Sequence, residues 1–299
     1  MNEIIVAGPW IGEFGPEIED WIPRLRYFKS QHLESYLIVS SYPGREIIYS
    51  DFANDFLGHP NFFTKLLDEK IYNTIWNILL DTKTKQAVSI NNLDIQNLIQ
   101  WLEQEIKNKF PNQEINYINP FLKTDKYNLD QKNTLHLPIQ TSKISPWTNH
   151  IVIFPRNRIT DSFRNWPESS WYELVCLLLN NNYKVVLCGN IADSLSLDIK
   201  HDNFLNILGS TLEDQVMYTQ SAQLALTSFS GACRFTAYIG CPTVTWGNAS
   251  HLRQVIVVEG KAFDVNPFNT PLYILAEENR WTYSSEEVFN FVKQYLKEE

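Results

Sequence analysis

"IVIFPRN" at 151–157, "WPESSWYELVCLLLNNN" at 166–182 and "YKVVLCG" at 183–189 are the stretches that decide the fold. The first is an apolar run that ends in a proline and an arginine, the pattern of a buried strand leaving its sheet. In the second, Pro167 suits the first turn of a helix. Trp171, Leu174, Val175, Leu178 and Leu179 then recur at i, i+3, i+4, i+7 and i+8. The third is another apolar run, closed by glycine. Strand, helix and strand at these lengths imply a right-handed βαβ unit and therefore a parallel sheet.

The same alternation continues in both directions. Downstream, "FLNILG" (204–209) reads as a strand, and "TLEDQVMYTQSA" (211–222) as a helix capped by Thr211. "LALTS" (224–228), "SGACRFTAYIG" (230–240) and "PTVTWG" (242–247) repeat strand, helix, strand. An amphipathic, capped helix closes the chain at 284–299. Upstream, "EIIVA" (3–7) and "YLIVSS" (36–41) read as strands, with weaker strand patterns at 114–120 and 133–139. Residues 16–30, 61–80 and 93–109 read as helices, with Pro23 expected to interrupt or kink the first. In the last, Leu93, Ile95, Leu98, Ile99 and Leu102 approximate one apolar face. Residues 140–149, "QTSKISPWTN", are polar and aperiodic and read as a linker. The expected division is 1–145, 146–283, and a final helix, 284–299.

The 299 residues suffice for two domains, and 44% hydrophobic with 20% charged content is ordinary for a globular protein. Acidic residues outnumber basic ones 34 to 25, a net charge of -9 that argues against nucleic acid as a partner. Cys176, Cys188, Cys233 and Cys241 form no CxxC pair, so reduced thiols are expected and no metal site. No basic-then-apolar leader opens the sequence and no apolar run reaches bilayer length, so the expected location is cytoplasmic, with peripheral membrane contact still compatible.

In open α/β sheets, ligands bind at the carboxyl ends of the strands. The residues there become the candidates. "FPRNRITDSFRNWP" gathers Arg156, Arg158 and Arg164, suited to phosphate oxygens, or alternatively surface arginines paired with Asp161 and Glu168. "SFSGACRF" places Ser228, Ser230, Gly231 and Ala232 at a helix amino end, an anion-attracting arrangement or merely a capped turn. Gly189 and Asn190 end the second strand of this half. Gly209 precedes the Thr211 cap, where capping alone is a sufficient reading. His251 lies in a further strand-end loop. In the first half, "GPWIGEFGPEIEDW" (8–21) sets Glu13 between Gly12 and Gly15, as a presented reacting group would be. Glu17, Glu19 and Asp20 compete with it or serve as first-turn helix acids. Trp10 and Tyr42 suit stacking on an acceptor, or core packing.

Residues 151–248, taken in order, resemble the carboxyl-terminal domain of the heptosyltransferase-like glycosyltransferases (glycosyltransferase family 9), whose pattern includes "RWP…W…L…L", "V.L.G", "L.G.TSLEE" and "NDSG..H.A...G.PTV..FG". The first half matches only in outline, through its glycine-bounded acid. The resemblance implies a GT-B fold, two Rossmann-like domains facing across a cleft. The second domain would hold a nucleotide-diphosphate sugar as co-substrate, and the first a glycan, lipid-linked or small-molecule acceptor. It maps the catalytic base onto Glu13 and the phosphate-binding Ser-Gly onto Ser230 and Gly231. It also has the final helix return to the first domain. Where the family carries an acid before Ser-Gly, this chain has Phe229, and where it carries histidine, Arg234.

The expected activity is thus glycosyl transfer without a metal or other cofactor. Glu13 would serve as general base, and Arg156, Arg158 and the helix amino end would stabilise the departing diphosphate. Around them, Gly189, Asn190, Gly209, Ser228 and Ala232 complete the expected donor side. Trp10, Glu17 and Tyr42 form the expected acceptor side. An epimerase or hydrolase of the same architecture, or a non-catalytic nucleotide-sugar-binding module, is the alternative.

Overall fold

The computed structural model describes residues 3–12, 14–66, 92–120, 127, 129, 132–158, 161–253 and 266–296. Two compact units divide the chain, Met1–Leu137 and Pro138–Glu299. The division falls a few residues ahead of the linker expected at 140–149.

The first unit holds a parallel sheet of β1 (Ile4–Ala7), β2 (Tyr36–Ser41), β3 (Asp55–Gly58) and β4 (Ile115–Ile118), in the order β3-β2-β1-β4. All four residues of β1 are buried, as a strand covered on both faces requires. The helix Asn92–Lys109 lays Leu102 and Ile106 on Ile4, Val6 and Ile38. Leu98, Leu102 and Ile106 are its buried stripe, whereas Leu93, expected on that face, is exposed.

Pro23 does not break the helix that begins at Phe14. A π-helical turn, Glu17–Trp21, precedes it, and the Ile22 N–H donates to Glu17 O. The helix Ile22–Gln31 continues directly from that turn, with Pro23 as its second residue. The strand expected at 133–139 is extended chain, held to the helix by Leu135 N–H donating to Pro23 O at 2.9 Å. Of the helix expected at 61–80, Asn61–Leu66 is helical and the remainder lies outside the described residues.

The second unit is a six-stranded parallel sheet of β5 (His150–Phe154), β6 (Lys184–Leu187), β7 (Phe204–Asn206), β8 (Leu224–Ser228), β9 (Thr243–Asn248) and β10 (Leu272–Glu277). Their order is β10-β9-β8-β5-β6-β7. Numbered from β5, this is 6-5-4-1-2-3, the dinucleotide-binding order. Trp166, Trp171 and Trp246 meet in its core, with ring centroids 4.9–5.1 Å apart. The Trp166 N–H donates to Tyr283 O at 2.8 Å.

The last helix, Ser285–Lys293, starts at a capping box in which the Ser284 hydroxyl and the Glu287 carboxylate each accept the other's backbone N–H. Its face of Val288, Phe289 and Val292 enters the core around the helix Glu168–Asn180, and Ser285 Oγ donates to Glu173. The apolar stripe of this helix is committed to the second unit. Among the described residues no helix is long and apolar enough to cross a membrane.

Candidate functional site

β5 lies between β6 and β8, so connections leave it on one side and arrive on the other. The loops after β5 and β8 therefore part at the carboxyl edge, opening a crevice where such sheets bind ligands. The loop after β5 carries the three arginines. It is braced by the loop after β6: Leu195 N–H donates to Pro155 O at 2.8 Å and Asn157 N–H to Asp193 O at 2.7 Å.

Asn165 then organises the arginines. Its Oδ1 accepts from the Arg156 guanidinium and, at 3.1 Å, from the Arg158 N–H, while its Nδ2 donates to Arg158 O at 2.7 Å. Arg156 Nη1 also donates to Asp161 O at 3.1 Å, and Arg158 Nη2 lies 3.4 Å from Asp193 Oδ2. Arg164 spans the crevice: Nη2 donates to Phe229 O at 2.8 Å, and Nη1 stands 3.4 Å from Asp161 Oδ2. Burial first, and then the Arg164 and Arg158 charges, push the Arg156 guanidinium down to about 10. The three cations share one field. Of the two partners expected from the sequence, Asp161 engages the cluster.

On the β8 side, Ser230 is an extended N-cap whose hydroxyl accepts the Ala232 N–H at 3.3 Å. The helix Gly231–Ile239 begins there, and the amides of its first turn have no partner within the helix. Together with the helix dipole they favour an anion. The Ser228 hydroxyl, at the end of β8, is buried and has no hydrogen-bond partner among the described residues. Arg234 projects from the same helix, and its charge, with that of Arg164, acts on His251. Four arginines thus outnumber Asp161 and Asp193 in a chain that is acidic overall.

The fold itself accounts for the neighbouring glycines. Gly189 has φ +134°, and a Cβ there would lie 2.3 Å from Ser194 Oγ. Its N–H donates to Gln215 Oε1 at 3.1 Å, so it has none to offer a donor phosphate. Gly209, at φ +76°, would drive a Cβ into Ile191, and its N–H donates to Gly189 O at 3.0 Å. Asn190 accepts the Ala192 N–H in a local turn. Thr211 is the helix cap, accepting the Asp214 N–H at 3.1 Å. Gly189 and Gly209 are thus held by the packing and hydrogen bonds of their own loops.

In the first unit, Glu13 lies outside the described residues. Trp10, Glu17 and Tyr42, expected on the acceptor side, are buried instead. Trp10 stacks on Trp21 at 5.6 Å. The Glu17 carboxylate is fully buried and accepts from Ser41 Oγ, Tyr49 OH and Arg45 Nη1. Burial raises its pKa against the pull of Arg45. The Tyr42 ring carries the Arg45 guanidinium at 4.3 Å and packs on His59 at 4.8 Å. These residues fasten the end of β2 to the helix that follows β1. Glu19 is also buried, and Asp20 pairs with Arg24.

Asn165 and Asp193, which hold the arginines, escape the sequence reading because asparagine and aspartate are ordinary loop residues. Trp281 escapes it too, since no strand was expected before it. Its ring nevertheless lies 5.2 Å from His251 and 5.1 Å from Phe163.

No family model matches the chain, and no curated protein matches it by sequence. Solved structures do match it by fold. E. coli ADP-heptose lps heptosyltransferase II superposes with a TM-score of 0.53 at 14% identity, covering 98% of each chain. The glycosyl transferase family 9 protein from Veillonella parvula DSM 2008 gives 0.56 at 13%, covering 99% of this chain and 97% of that one. E. coli heptosyltransferase WaaC with ADP gives 0.52 at 12%, covering 99% and 100%. Over nearly its whole length, then, this chain has the α/β fold of the heptosyltransferases and family 9 glycosyltransferases.

Proposed function

We propose that the protein is a glycosyltransferase that moves a sugar from a nucleotide diphosphate to an acceptor hydroxyl. The observation that carries this reading is the Arg164 bridge to Phe229 O. It draws the arginine loop after β5 and the capped helix after β8 to one point of a sheet in dinucleotide-binding order. A diphosphate bound there would meet guanidiniums on one side and the Gly231 amide at the helix amino end on the other. The whole-length fold likeness to sugar transferases supports the same reading.

In the reaction the acceptor oxygen forms a bond to the anomeric carbon as the bond from that carbon to the diphosphate breaks. The acceptor's proton passes to Glu13, the general base. The departing diphosphate gains one negative charge. Arg156, Arg158, Arg164 and the helix amino end stabilise it, since donors fixed where charge develops lower the barrier without reorganising. In this scheme the charge compensation is carried by side chains, with no divalent cation required. The acceptor is a glycan, a lipid-linked sugar or a small molecule. The four free thiols fit a cytoplasmic setting.

A calorimetric screen of nucleoside diphosphates and their sugars tests the donor half, and sugar transfer to an acceptor mixture tests the whole. Tight binding with slow turnover of donor alone is the expected result. Rapid release of free sugar without acceptor would mark a hydrolase, and no binding of any nucleotide would overturn the reading.

A further inference from the structure

His251 belongs to the same crevice, although it lies on the short helix Ala249–Arg253 after β9. Its ring sits between two aromatic rings, Trp281 at 5.2 Å and Phe229 at 5.8 Å. Phe229 is the residue whose carbonyl receives Arg164. Asn248 Oδ1 caps the turn, accepting the Ser250 and His251 N–H groups at 2.9 and 3.3 Å.

The charged groups that act on the imidazole come from two elements. Arg164 and Asp161 belong to the loop after β5, and Arg234 to the helix after β8. From beyond β10 the contact is Trp281, while Glu278 is engaged by Ser250 Oγ. Cations dominate. Burial first, then Arg164 and Arg234, hold the imidazole below its usual 6.5, with Asp161 opposing them.

We propose that His251 takes up a proton when a diphosphate occupies the arginine cluster, and so supplies the site with an additional, conditional cation. The proposal rests on the nucleotide-diphosphate reading above. Without a ligand, burial first and then the net positive field disfavour the charged ring. A dianion placed between Arg164 and the helix amino end reverses that field at the imidazole, whose charged form is then favoured. The aromatic walls strengthen the effect by excluding water, since electrostatic interactions grow as the local dielectric falls. The sign follows. The pKa is higher with ligand than without, so the added affinity is complete below the ligand-free value and is lost as pH rises through the liganded one. A transfer reaction benefits most, because the leaving diphosphate carries one more negative charge than the donor.

The test is isothermal titration of the whole protein with the tightest binder among ADP-, UDP-, GDP- and dTDP-glucose. These diphosphate diesters exchange no proton of their own between about pH 6 and 8. Titrations at pH 7 in PIPES and in Tris read proton uptake from the difference in enthalpy. Expected is net uptake, with Kd tightening from pH 8 to 6 by about tenfold for each unit of pKa rise. In His251→Gln, and in His251→Asn as a second variant, uptake disappears and Kd becomes flat over that range. His59 and His150, buried and pushed down to about 3 and about 4, stay neutral throughout. Equal enthalpies in the two buffers, or uptake retained in both variants, would overturn the proposal and leave the nucleotide site standing. Failure of all four sugars to bind would remove the nucleotide-diphosphate reading itself, and this inference with it.

Discussion

Replacing Arg156 with methionine separates what the arginine cluster costs from what it does. The guanidinium is 6% exposed and pushed from 12.5 to about 10 by burial and by its two neighbours. It stays protonated at every ordinary pH, so the depression acts as a penalty on the folded, ligand-free protein. The difference of roughly 2.5 units corresponds to about 3 kcal/mol at most. The sign is fixed: a cation whose pKa falls on folding opposes folding at all pH values below the folded one. Against that stand its bonds to Asp161 O and Asn165 Oδ1, each worth about 1.5–3 kcal/mol as charged hydrogen bonds. Together the two bonds offset the penalty and leave a net of about 0–3 kcal/mol, and methionine fills similar volume. Arg156→Met should therefore lower unfolding stability, read by urea titration, by no more than about 3 kcal/mol. Nucleoside diphosphate affinity, read by calorimetry, should fall about 10- to 100-fold as one charged contact is lost. Affinity within twofold of the parent would show that Arg156 faces no ligand. A stability loss above about 4 kcal/mol would refute the electrostatic ledger.

Three further substitutions probe the remaining roles. Glu13→Gln should lower turnover about 10²-fold or more while donor affinity and melting temperature hold, and turnover within threefold of the parent would dismiss it as the base. Glu17→Ala should cost about 3 kcal/mol in denaturant titrations, because Arg45 loses its buried counter-charge and Ser41 and Tyr49 lose their acceptor. Since burial raises the Glu17 pKa above 4.5, the carboxyl protonates in the folded state first. The stability gap between parent and variant should then widen as pH falls from 7 towards 4.5, and a constant gap would contradict that. Trp171→Ala should cost about 3–5 kcal/mol by opening a cavity among three indoles; a loss under about 1 kcal/mol would mean that this contact does not organise the second core.

The second sheet is legible because its inner strands are continuous apolar runs, and β5, β6, β8 and β9 fall where those runs predict. The strands that escape notice, β3 and β10, are both edges. β3 offers only Phe56 and Leu57 as apolar residues, whereas the apolar run Leu272–Ala276 in β10 is itself a legible strand signal. The arginine loop and the Ser230 cap are readable as candidates because charge and small polar residues at a strand end are locally unusual. Their meeting is not readable, since it depends on strand order and on one carbonyl, Phe229 O. The burial of Trp10 and Tyr42 is not readable either. An aromatic residue in a loop sequence carries no mark of whether the loop folds back on the core, as this one does through the Trp10 N–H to Ser40 O bond.

The strand order also sets a timetable. β5, the middle of its sheet, is the first of its strands to leave the ribosome, and β6 and β7 can join one flank before β8 exists. Arg164 is synthesised long before the carbonyl that receives it. A nascent chain arrested ahead of residue 229 would therefore display its arginines with nothing opposite them, and polyanions in the cell would meet that half-finished crevice before any sugar nucleotide could.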